Sequence, residues 1–431
     1  MDKYYKHRII NEIIKTLINN NPQITSYHNR KIEMKKRILM LGGSNFQVPS
    51  IITAKNEGHY VITCDYLPEN PGHKYSDEYH NVSTTNFDAV LQLAEKLNID
   101  GIVAYASDPA APTAAYVAEK LGLPGNPFDS VMVLSHKDKF RAFLKENGFN
   151  VPQSSGFDNL ESAKDFFNKI RKPVMVKPID SSGSKGVRKI QDISELEDAF
   201  NYALSFSRAK RVVVEEFIQR KGYQIAGDGF VVNGKLVFTC FANEHFDEEC
   251  NPLVPIGESF PAVHDKILLA EAKKEIQRVL TLLKWNGGAL NFDFMFDEDD
   301  NLYLLEIGPR NGGNLIPDVI KLATGVDIIK YTIDTALGED CSDLIQVEPN
   351  GYYSSYIVHA LSSGKINDID IENEMKDDIL EYHEFLPIGA DVGRFDGSNH
   401  TVGAMIIQYS TMETMLEKMD SMNKHIKVIV E

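Results

Sequence analysis

The segment from Trp285 to Asn314 constrains the fold and chemistry of this chain more than any other. It reads WNGGALNFDFMFDEDDNLYLLEIGPRNGGN. Two apolar runs, 289–296 and 302–307, flank a short acidic turn, and this pattern predicts an antiparallel hairpin. Each run carries a single acid, Asp293 in the first and Glu306 in the second. We therefore expect both carboxylates to point into one site.

These two acids need a positively charged partner. A carboxylate within an apolar strand is costly unless a cation or a donor pairs with it, and two facing carboxylates also repel each other. A hard divalent cation with oxygen ligands removes both penalties. Arg310 follows shortly after Glu306 and can hold a carboxylate or a phosphate through two hydrogen bonds. The alternative is an acid-tipped hairpin on a solvated sheet edge.

Composition narrows the class of protein. The chain has 431 residues, 62 acidic against 45 basic, and a net charge of −17. This balance argues against nucleic acid or an anionic membrane as the main partner. The four cysteines form no CxxC pair, no apolar run is as long as a membrane span, and the N-terminus does not read as a secretory signal. These features predict a soluble, cytoplasmic protein of two or three domains.

The N-terminal part of the chain divides into two regions. Residues 1–34 are polar, with an amphipathic helix from Tyr4 to Ile18. Such a helix packs on its own domain or on a second subunit, which would give a homodimer, and a membrane-surface role is the less favoured alternative. From residue 36, strands and helices alternate at lengths that predict a doubly wound parallel sheet. The turn Gly42-Gly43-Ser44 lacks the GxGxxG fingerprint, which disfavours a dinucleotide site despite Asp65 after the second strand. Ser107-Asp108, at a later strand end, is expected to face a ligand cleft.

A glycine- and serine-rich loop follows a strand that ends in Lys177. The loop reads SSGSKGV over residues 181–187, and we call it the glycine–serine loop. Its small residues let backbone N–H groups wrap a phosphate, and Lys177 and Lys185 can neutralise that charge. The spacing is not that of GxxxxGK[ST], and a flexible turn with no ligand is the alternative. Because a strand returns after Val187, the loop is predicted to tip a hairpin and to move as a lid.

Two further segments complete the candidate site. The run VVVEEFI over residues 212–218 is a strand end whose backbone can read the edge of an adenine. Residues 243–261 are predicted to form a solvated acidic loop, with His245 and Cys250 as ordinary loop residues. From residue 349 the chain is predicted to form a small α+β domain.

The ordered set LGG, DKFR, VKP, SSGSKGV, EEFI, FDF and LEIGPR resembles the ATP-grasp superfamily of carboxylate–amine ligases. The resemblance covers residues 36–430 and by layout is similar to L-amino-acid ligases, carbamoyl-phosphate-synthase-like proteins and the ATPase subunit of phosphoribosylaminoimidazole carboxylase. It implies a fold of mixed α/β and α+β type, with a Rossmann-like pre-ATP-grasp domain at 35–128, an ATP-grasp domain at 129–348 and an α+β domain at 349–431. Residues 1–34 would be a helical extension.

The resemblance also implies roles for residues at matching positions. ATP phosphates would be contacted by Lys139 and Lys177, and the adenine side would be formed by Glu215, Glu216, Phe217 and Ile218, with Gln224 nearby. The loop that closes over the β- and γ-phosphates would consist of Ser181, Ser182, Gly183, Ser184, Lys185, Gly186 and Val187. Asp293 and Glu306 would bind Mg²⁺, with Mn²⁺ as a substitute. The implied catalytic residues are Arg310, which would hold the substrate carboxylate, together with Lys177 and Lys185.

Two positions depart from the pattern of the superfamily. Gly308 stands where relatives often have a metal-binding asparagine, for which Asn311 or Asn314 could substitute. Gln224 stands where many relatives have a glutamate. These departures place part of the metal coordination and one nucleotide contact in question.

The sequence therefore predicts an ATP- and Mg²⁺-dependent ligase. It would activate a small carboxylate, such as an amino acid, as an acyl-phosphate for attack by an amine, releasing ADP and phosphate. A bicarbonate-activating relative and a nucleotide-binding scaffold with weakened catalysis remain alternatives. The identity of the two substrates depends on loops whose structure cannot be predicted from composition.

Overall fold

The computed structural model describes residues 35–431. The predicted N-terminal extension, with its helix from Tyr4 to Ile18, lies outside the described residues. Across residues 35–431, no helix combines the length and apolar character needed to cross a membrane.

The N-terminal region is built on a four-stranded parallel sheet, as its alternating pattern predicts. Its elements are β1 (Arg37–Leu41), α1 (Val48–Asn56), β2 (Tyr60–Cys64), β3 (Glu78–His80), α2 (Phe87–Leu97), β4 (Gly101–Val103) and α3 (Ala111–Leu121). The strand order is β3-β2-β1-β4, and all neighbours pair in parallel. Val90 and Val117, on α2 and α3, pack onto Leu39 and Ile62 on one face of the sheet.

The opposite face of this sheet is covered by a helix from much later in the chain. Ile329 and Ile333 lie on α10 (Ile328–Ala336) and are buried against Ile38 and Met40 of β1. A side chain at Gly101 would collide with the carbonyl oxygen of Ala336, which shows how closely this helix approaches β4. The predicted domain 35–128 therefore obtains part of its core from outside those bounds.

A second, smaller sheet follows two connecting helices. The elements are α4 (Phe128–Leu134), α5 (Lys137–Glu146), β5 (Ser154–Phe157), α6 (Leu160–Phe167), β6 (Val174–Pro178), β7 (Arg188–Ile190), α7 (Leu196–Phe206) and β8 (Val212–Glu216). The order β5-β8-β6-β7 is antiparallel throughout. The glycine–serine loop joins β6 to β7, so the predicted hairpin is confirmed.

An eight-stranded antiparallel sheet dominates the rest of the molecule. Its strands are β9 (Gln224–Val232), β10 (Lys235–Asp247), β11 (Asn251–Phe260), β12 (Gly288–Phe296), β13 (Leu302–Gly308), β14 (Tyr352–His359), β16 (Ile379–Glu384) and β18 (Thr401–Tyr409). The order is β13-β12-β9-β10-β11-β14-β18-β16. The sheet therefore runs without interruption across the predicted boundary at 348/349.

Helices cover both faces of this large sheet. On one face, α8 (Lys266–Leu282) buries Ile276 and Val279 against Leu290 and Phe294. On the other face, α9 (Ile316–Thr324) packs Val319 among apolar residues that include Phe230 and Phe238. The second face is covered only in part, and its remainder forms the floor of the cleft described below.

The C-terminal region adds a three-stranded sheet of order β17-β15-β19. Its elements are β15 (Gly364–Ile371), α11 (Asn373–Lys376), β17 (Asp391–Val392), α12 (Met412–Met419), α13 (Met422–His425) and β19 (Ile426–Val430). The predicted α+β character of residues 349–431 agrees with these elements.

The prediction for residues 243–261 was wrong. Instead of a solvated loop, β10 and β11 form an antiparallel pair with a short turn between them. His245 is only 1% exposed, and Cys250 is also buried. Sequence reasoning missed the strands because their acids suggest solvent, whereas Glu244 and Glu258 face a cleft inside the protein.

Candidate active site

The large sheet, the small sheet and the glycine–serine loop enclose a cleft of about 550 Å³. Most of the predicted site residues line it, namely Lys177, Ser181, Ser182, Gly183, Ser184, Val187, Glu215, Glu216, Phe217, Ile218, Gln224, Asp293, Glu306 and Arg310. Lys139, Lys185 and Gly186 are absent from its lining. The phosphate contact of Lys139 remains a prediction.

The two acids of the 285–314 hairpin face each other, as their positions predict. Asp293 on β12 lies directly opposite Glu306 on β13. Burial, followed by repulsion from Glu306, raises the pKa of Asp293 to about 7. Glu306 is paired through its carboxylate with the ammonium group of Lys137, 3.0 Å away. Among residues 35–431, Asp293 has no such cation, so the hairpin carries negative charge that the described part of the chain does not balance.

This acid pair fits a magnesium ion that shares its coordination with a substrate. In residues 35–431, no three His, Cys, Asp or Glu side chains are grouped as a metal site. Mg²⁺ commonly takes one or two protein carboxylates and completes its shell with water and phosphate oxygens. Asp293 and Glu306 supply that number of ligands, and Lys137 pairs with only one of the two carboxylates, which leaves room for a divalent cation.

A buried ion-pair cluster positions Lys177 on the opposite wall. Glu215, at the end of β8, accepts a hydrogen bond of 2.9 Å from Arg141 Nε and lies 2.7 Å from Lys177 Nζ. Burial alone would raise the pKa of Glu215, but the two cations lower it to about 2. Arg141 also donates to the carbonyl oxygen of Leu305 at 2.7 Å, which connects this wall to β13. Lys177 is thus held at a fixed place in the cleft.

The glycine–serine loop contacts the C-terminal region. The backbone N–H of Ser398 donates to the carbonyl oxygen of Gly183 at 3.2 Å. Gly183 has a φ of +64°, and a side chain there would collide with Ser398 Oγ. Lys137 donates to the carbonyl oxygen of Ser181 at 2.9 Å. Burial, with a smaller effect of Arg208, lowers the pKa of Lys185. The loop therefore lies in a closed position.

Arg310 is engaged by an acid from the N-terminal sheet. Its Nε and one terminal nitrogen donate to the two oxygens of Asp108, each at 2.8 Å. Burial alone would raise the pKa of Asp108, but Arg310 keeps it below its usual value. Asp108 lines an adjoining cavity beside Lys137 and Glu306 and not the cleft itself, so its position at a ligand cleft stays a prediction. A substrate carboxylate that binds the same fork of Arg310 must displace Asp108.

A row of polar side chains crosses the floor of the cleft. Gln224, Glu244 and Glu258 lie opposite one another on β9, β10 and β11, and we call these three residues the acidic row. The amide nitrogen of Gln224 donates to Glu244 and, at 3.1 Å, to Asp293. Burial raises the pKa of both glutamates. The row thus extends the acidic surface from the hairpin across the sheet.

Among the cleft residues that sequence reasoning missed are four charged ones, Lys137, Arg141, Glu244 and Glu258. The first two belong to the DKFR region from which Lys139 was selected. Lys137 and Arg141 are four residues apart on α5 and share one helix face, whereas Lys139 does not. Helical spacing could have identified the first two. Glu244 and Glu258 could not be identified as cleft residues, because residues 243–261 were predicted to form a solvated loop.

The two proposed substitutes for the missing metal-binding asparagine differ in position. Asn314 lines the cleft, and so does Asn291, which lies opposite Gly308 in the hairpin. Asn311 is fully buried, and its side-chain oxygen accepts a hydrogen bond of 3.0 Å from Thr332. Asn311 therefore lies outside the cleft lining, and Asn291 joins Asn314 as a neighbour of the hairpin acids.

Comparisons with known proteins agree with this architecture. Residues 134–314 match the family model described as the ATP-grasp domain. The chain is 28% identical over 275 residues to uncharacterized protein y4rH of Sinorhizobium fredii, covering 62% of this chain and 55% of that protein. It is 25% identical over 267 residues to the carbamoyl phosphate synthase large chain of Caldanaerobacter subterraneus, covering 60% of this chain and 24% of that one. The match thus spans about half or less of either relative.

A solved structure shares the fold over nearly the whole chain. The L-amino acid ligase from Bacillus licheniformis superposes with a TM-score of 0.76 at 21% identity, covering 93% of this chain and 100% of that one. The family match assigns an ATP-grasp domain to residues 134–314, and the sheet arrangement and the cleft agree with that match.

Proposed function

We propose that this protein is an ATP- and Mg²⁺-dependent ligase that activates a small carboxylate, such as an amino acid, and joins it to an amine. The products would be the amide, ADP and phosphate. The observation that carries this proposal is the direct pairing of Asp293 with Glu306 in a cleft closed by the glycine–serine loop. The names of two similar proteins, a carbamoyl phosphate synthase chain and an L-amino acid ligase, support it.

Chemically, the cleft must make a carboxylate electrophilic. A carboxylate oxygen would attack the γ-phosphorus of ATP, and the resulting acyl-phosphate would lose phosphate when the amine attacks. Asp293 and Glu306 would hold Mg²⁺, which neutralises negative charge on the phosphates. The protein thus has to bind, orient and neutralise, and it does not have to supply a nucleophile of its own.

The side chains of the cleft divide these tasks. Lys177, held 2.7 Å from Glu215, would contact a phosphate at a fixed place on the wall. Arg310 would hold the substrate carboxylate after exchanging its contacts with Asp108. The closed glycine–serine loop would exclude water and so protect the acyl-phosphate from hydrolysis.

The first test is phosphate release from Mg²⁺-ATP with a panel of amino acids, singly and in pairs, and with bicarbonate. We expect release that depends on a carboxylate–amine pair, with ADP as the nucleotide product. Glu306→Gln should abolish it, because the metal pair is lost. Glu298→Gln, which removes the same charge from the exposed turn of the same hairpin, is the matched control and should retain activity.

Other outcomes have defined meanings. Formation of AMP would contradict the proposal. Turnover that requires bicarbonate would identify a carboxylase-type enzyme, the alternative considered from the sequence. Tight ATP binding without turnover for any pair would indicate a nucleotide-binding scaffold. Release that survives Glu306→Gln would show that the metal site lies elsewhere.

A further inference from the structure

The acids of the cleft fall into two groups according to their partners. Three of them are paired by the chain itself, because Glu215 contacts Arg141 and Lys177, Glu306 contacts Lys137, and Glu216 lies 3.7 Å from Arg171. Within residues 35–431, no Lys, Arg or His side chain forms an ion pair with Glu244 or Glu258. Apart from Asp293 and the exposed Glu248, the two glutamates of the acidic row are therefore the cleft acids that have no cationic partner among the described residues.

The two glutamates of the row are buried and in register. Glu244 is 5% exposed and Glu258 is 8% exposed, and they occupy directly opposed positions on β10 and β11. Like charges in this arrangement destabilise a sheet. Glu244 accepts a hydrogen bond from the Gln224 amide. Oε2 of Glu258 is buried and has no hydrogen-bond partner in the part of the chain that the structure describes. A buried carboxylate oxygen without a partner is costly, which indicates that a ligand supplies the missing donor.

The chemistry of the row restricts what that donor can be. Carboxylates accept hydrogen bonds, and a row of them repels phosphates and carboxylates. The ligand must therefore present N–H donors and positive charge, and it must reach the cleft where ATP and the carboxylate meet. A primary ammonium group, with three donors and a unit charge, meets these requirements.

We infer that Gln224, Glu244 and Glu258 form the subsite that binds the amine substrate as its ammonium ion. This inference rests on the proposed ligase function and specifies one of its substrates. It assigns the nucleophile to the class of primary amines that are protonated in water, including amino acids and diamines. Uncharged and anionic nucleophiles of similar size would bind poorly.

The subsite also provides a route for the proton that the amine must lose. The ammonium ion transfers one proton to a carboxylate of the row, and the freed nitrogen lone pair attacks the acyl carbon. The new C–N bond forms as the bond from that carbon to the phosphate oxygen breaks. The departing phosphate takes a second proton from nitrogen and leaves as the hydrogen phosphate dianion, so a neutral amide remains.

The test uses the full-length protein and measures two steps separately, the formation of the acyl-phosphate and its reaction with the amine. Hydroxylamine is small and mostly uncharged near neutral pH, and it traps an acyl-phosphate as a hydroxamate. With Mg²⁺-ATP, hydroxamate formation is screened over the twenty amino acids as carboxylate donors. Amide formation is then measured with the same amino acids and with 1,4-diaminobutane as nucleophiles, at varied amine concentration.

The variants are Glu258→Gln, Glu244→Gln and the conservative Glu258→Asp. Loss of one charged hydrogen bond should raise KM for the amine by about tenfold or more. Hydroxamate formation should fall far less, and Glu258→Asp should recover part of the amine affinity. Glu384→Gln, at an exposed position of β16, removes an equal charge away from the cleft and serves as control.

Each outcome decides a separate point. An unchanged KM for the amine in both Gln variants would overturn the inference, as would an equal loss of hydroxamate and amide. A reduced Mn²⁺ stoichiometry in the Gln variants, with amine binding intact, would instead assign the row to a metal. Absence of hydroxamate from the wild-type protein would contradict the proposed function and the inference together.

Discussion

Asp293 is the residue at which metal binding and protonation compete. Burial and the facing Glu306 raise its pKa to about 7. A carboxyl group whose pKa is raised by folding lowers the free energy of unfolding when it is ionised in the folded protein. It has no such effect at a pH where it is protonated in both the folded and the unfolded state. Without metal, this contribution to the free energy of unfolding therefore declines as pH rises from about 4 to about 7. A bound divalent cation removes the cost, because it stabilises the ionised form.

We predict that divalent metal binding strengthens steeply between pH 6 and pH 8. With a pKa near 7, the ionised fraction of Asp293 rises by about tenfold over this range, and metal affinity should rise by a similar factor. Mn²⁺ titration followed by electron paramagnetic resonance measures this directly. Asp293→Asn should bind weakly at both pH values. Equal affinity of the wild-type protein at pH 6 and pH 8 would show that Asp293 is not a ligand.

At the scale of elements, the glycine–serine loop depends on one glycine for its closed position. Gly183 has a positive φ and lies against Ser398. We predict that Gly183→Ala holds the loop open, because the added methyl group is strained by the backbone and collides with the Ser398 hydroxyl. An open loop admits water, so more acyl-phosphate should be hydrolysed for each amide formed.

The ratio of phosphate released to amide formed measures this effect. Gly148→Ala is the matched control, because Gly148 also has a positive φ but has no neighbour within 4 Å of an added methyl group. The control should keep the wild-type ratio. A wild-type ratio in Gly183→Ala would show that closure does not require this contact.

The elements also show what the sequence could and could not predict. The 285–314 hairpin was predicted with both acids directed into one site, because two apolar runs around a short polar turn favour an antiparallel pair. The helix carrying Lys137 was predicted, but Lys139 was chosen on it, whereas Lys137 and Arg141 are the residues of this helix that line the cleft. Strands β10 and β11 were missed because acidic residues such as Glu244 and Glu258 are typical of a solvated loop. Whether a polar side chain faces water or an internal cleft depends on packing between distant segments, which local patterns do not record.

At the scale of the whole molecule, the contact between Asp108 and Arg310 connects the N-terminal sheet to the cleft. We predict that Asp108→Asn lowers KM for the carboxylate substrate, because the carboxylate no longer competes with a charged residue for Arg310. KM for ATP should change little. Steady-state kinetics with the carboxylate varied measures this, and a raised KM would instead assign Asp108 to substrate binding.

Stability gives a second measurement on the same variant. The side chain of Arg310 is only 11% exposed, and removal of its ionised partner leaves a guanidinium without compensation, which typically costs on the order of 3 kcal/mol. Asp108→Asn should therefore melt at a lower temperature than the wild-type protein. Addition of the carboxylate substrate with Mg²⁺-ATP should recover part of the difference.

The helix α10 has a consequence for how such a chain can be recombined. It lies late in the sequence, yet Ile329 and Ile333 complete the core of the first sheet, and the large sheet continues past residue 349. Neither the predicted boundary after residue 128 nor the one at 348/349 is thus a site at which a segment could be exchanged independently with that of a relative. A functional chimera would have to transplant residues 35–128 together with 328–337, and would have to keep 129–327 with the strands beyond 349. We therefore expect the segments of residues 35–431 to be kept together in evolution rather than exchanged separately between related proteins.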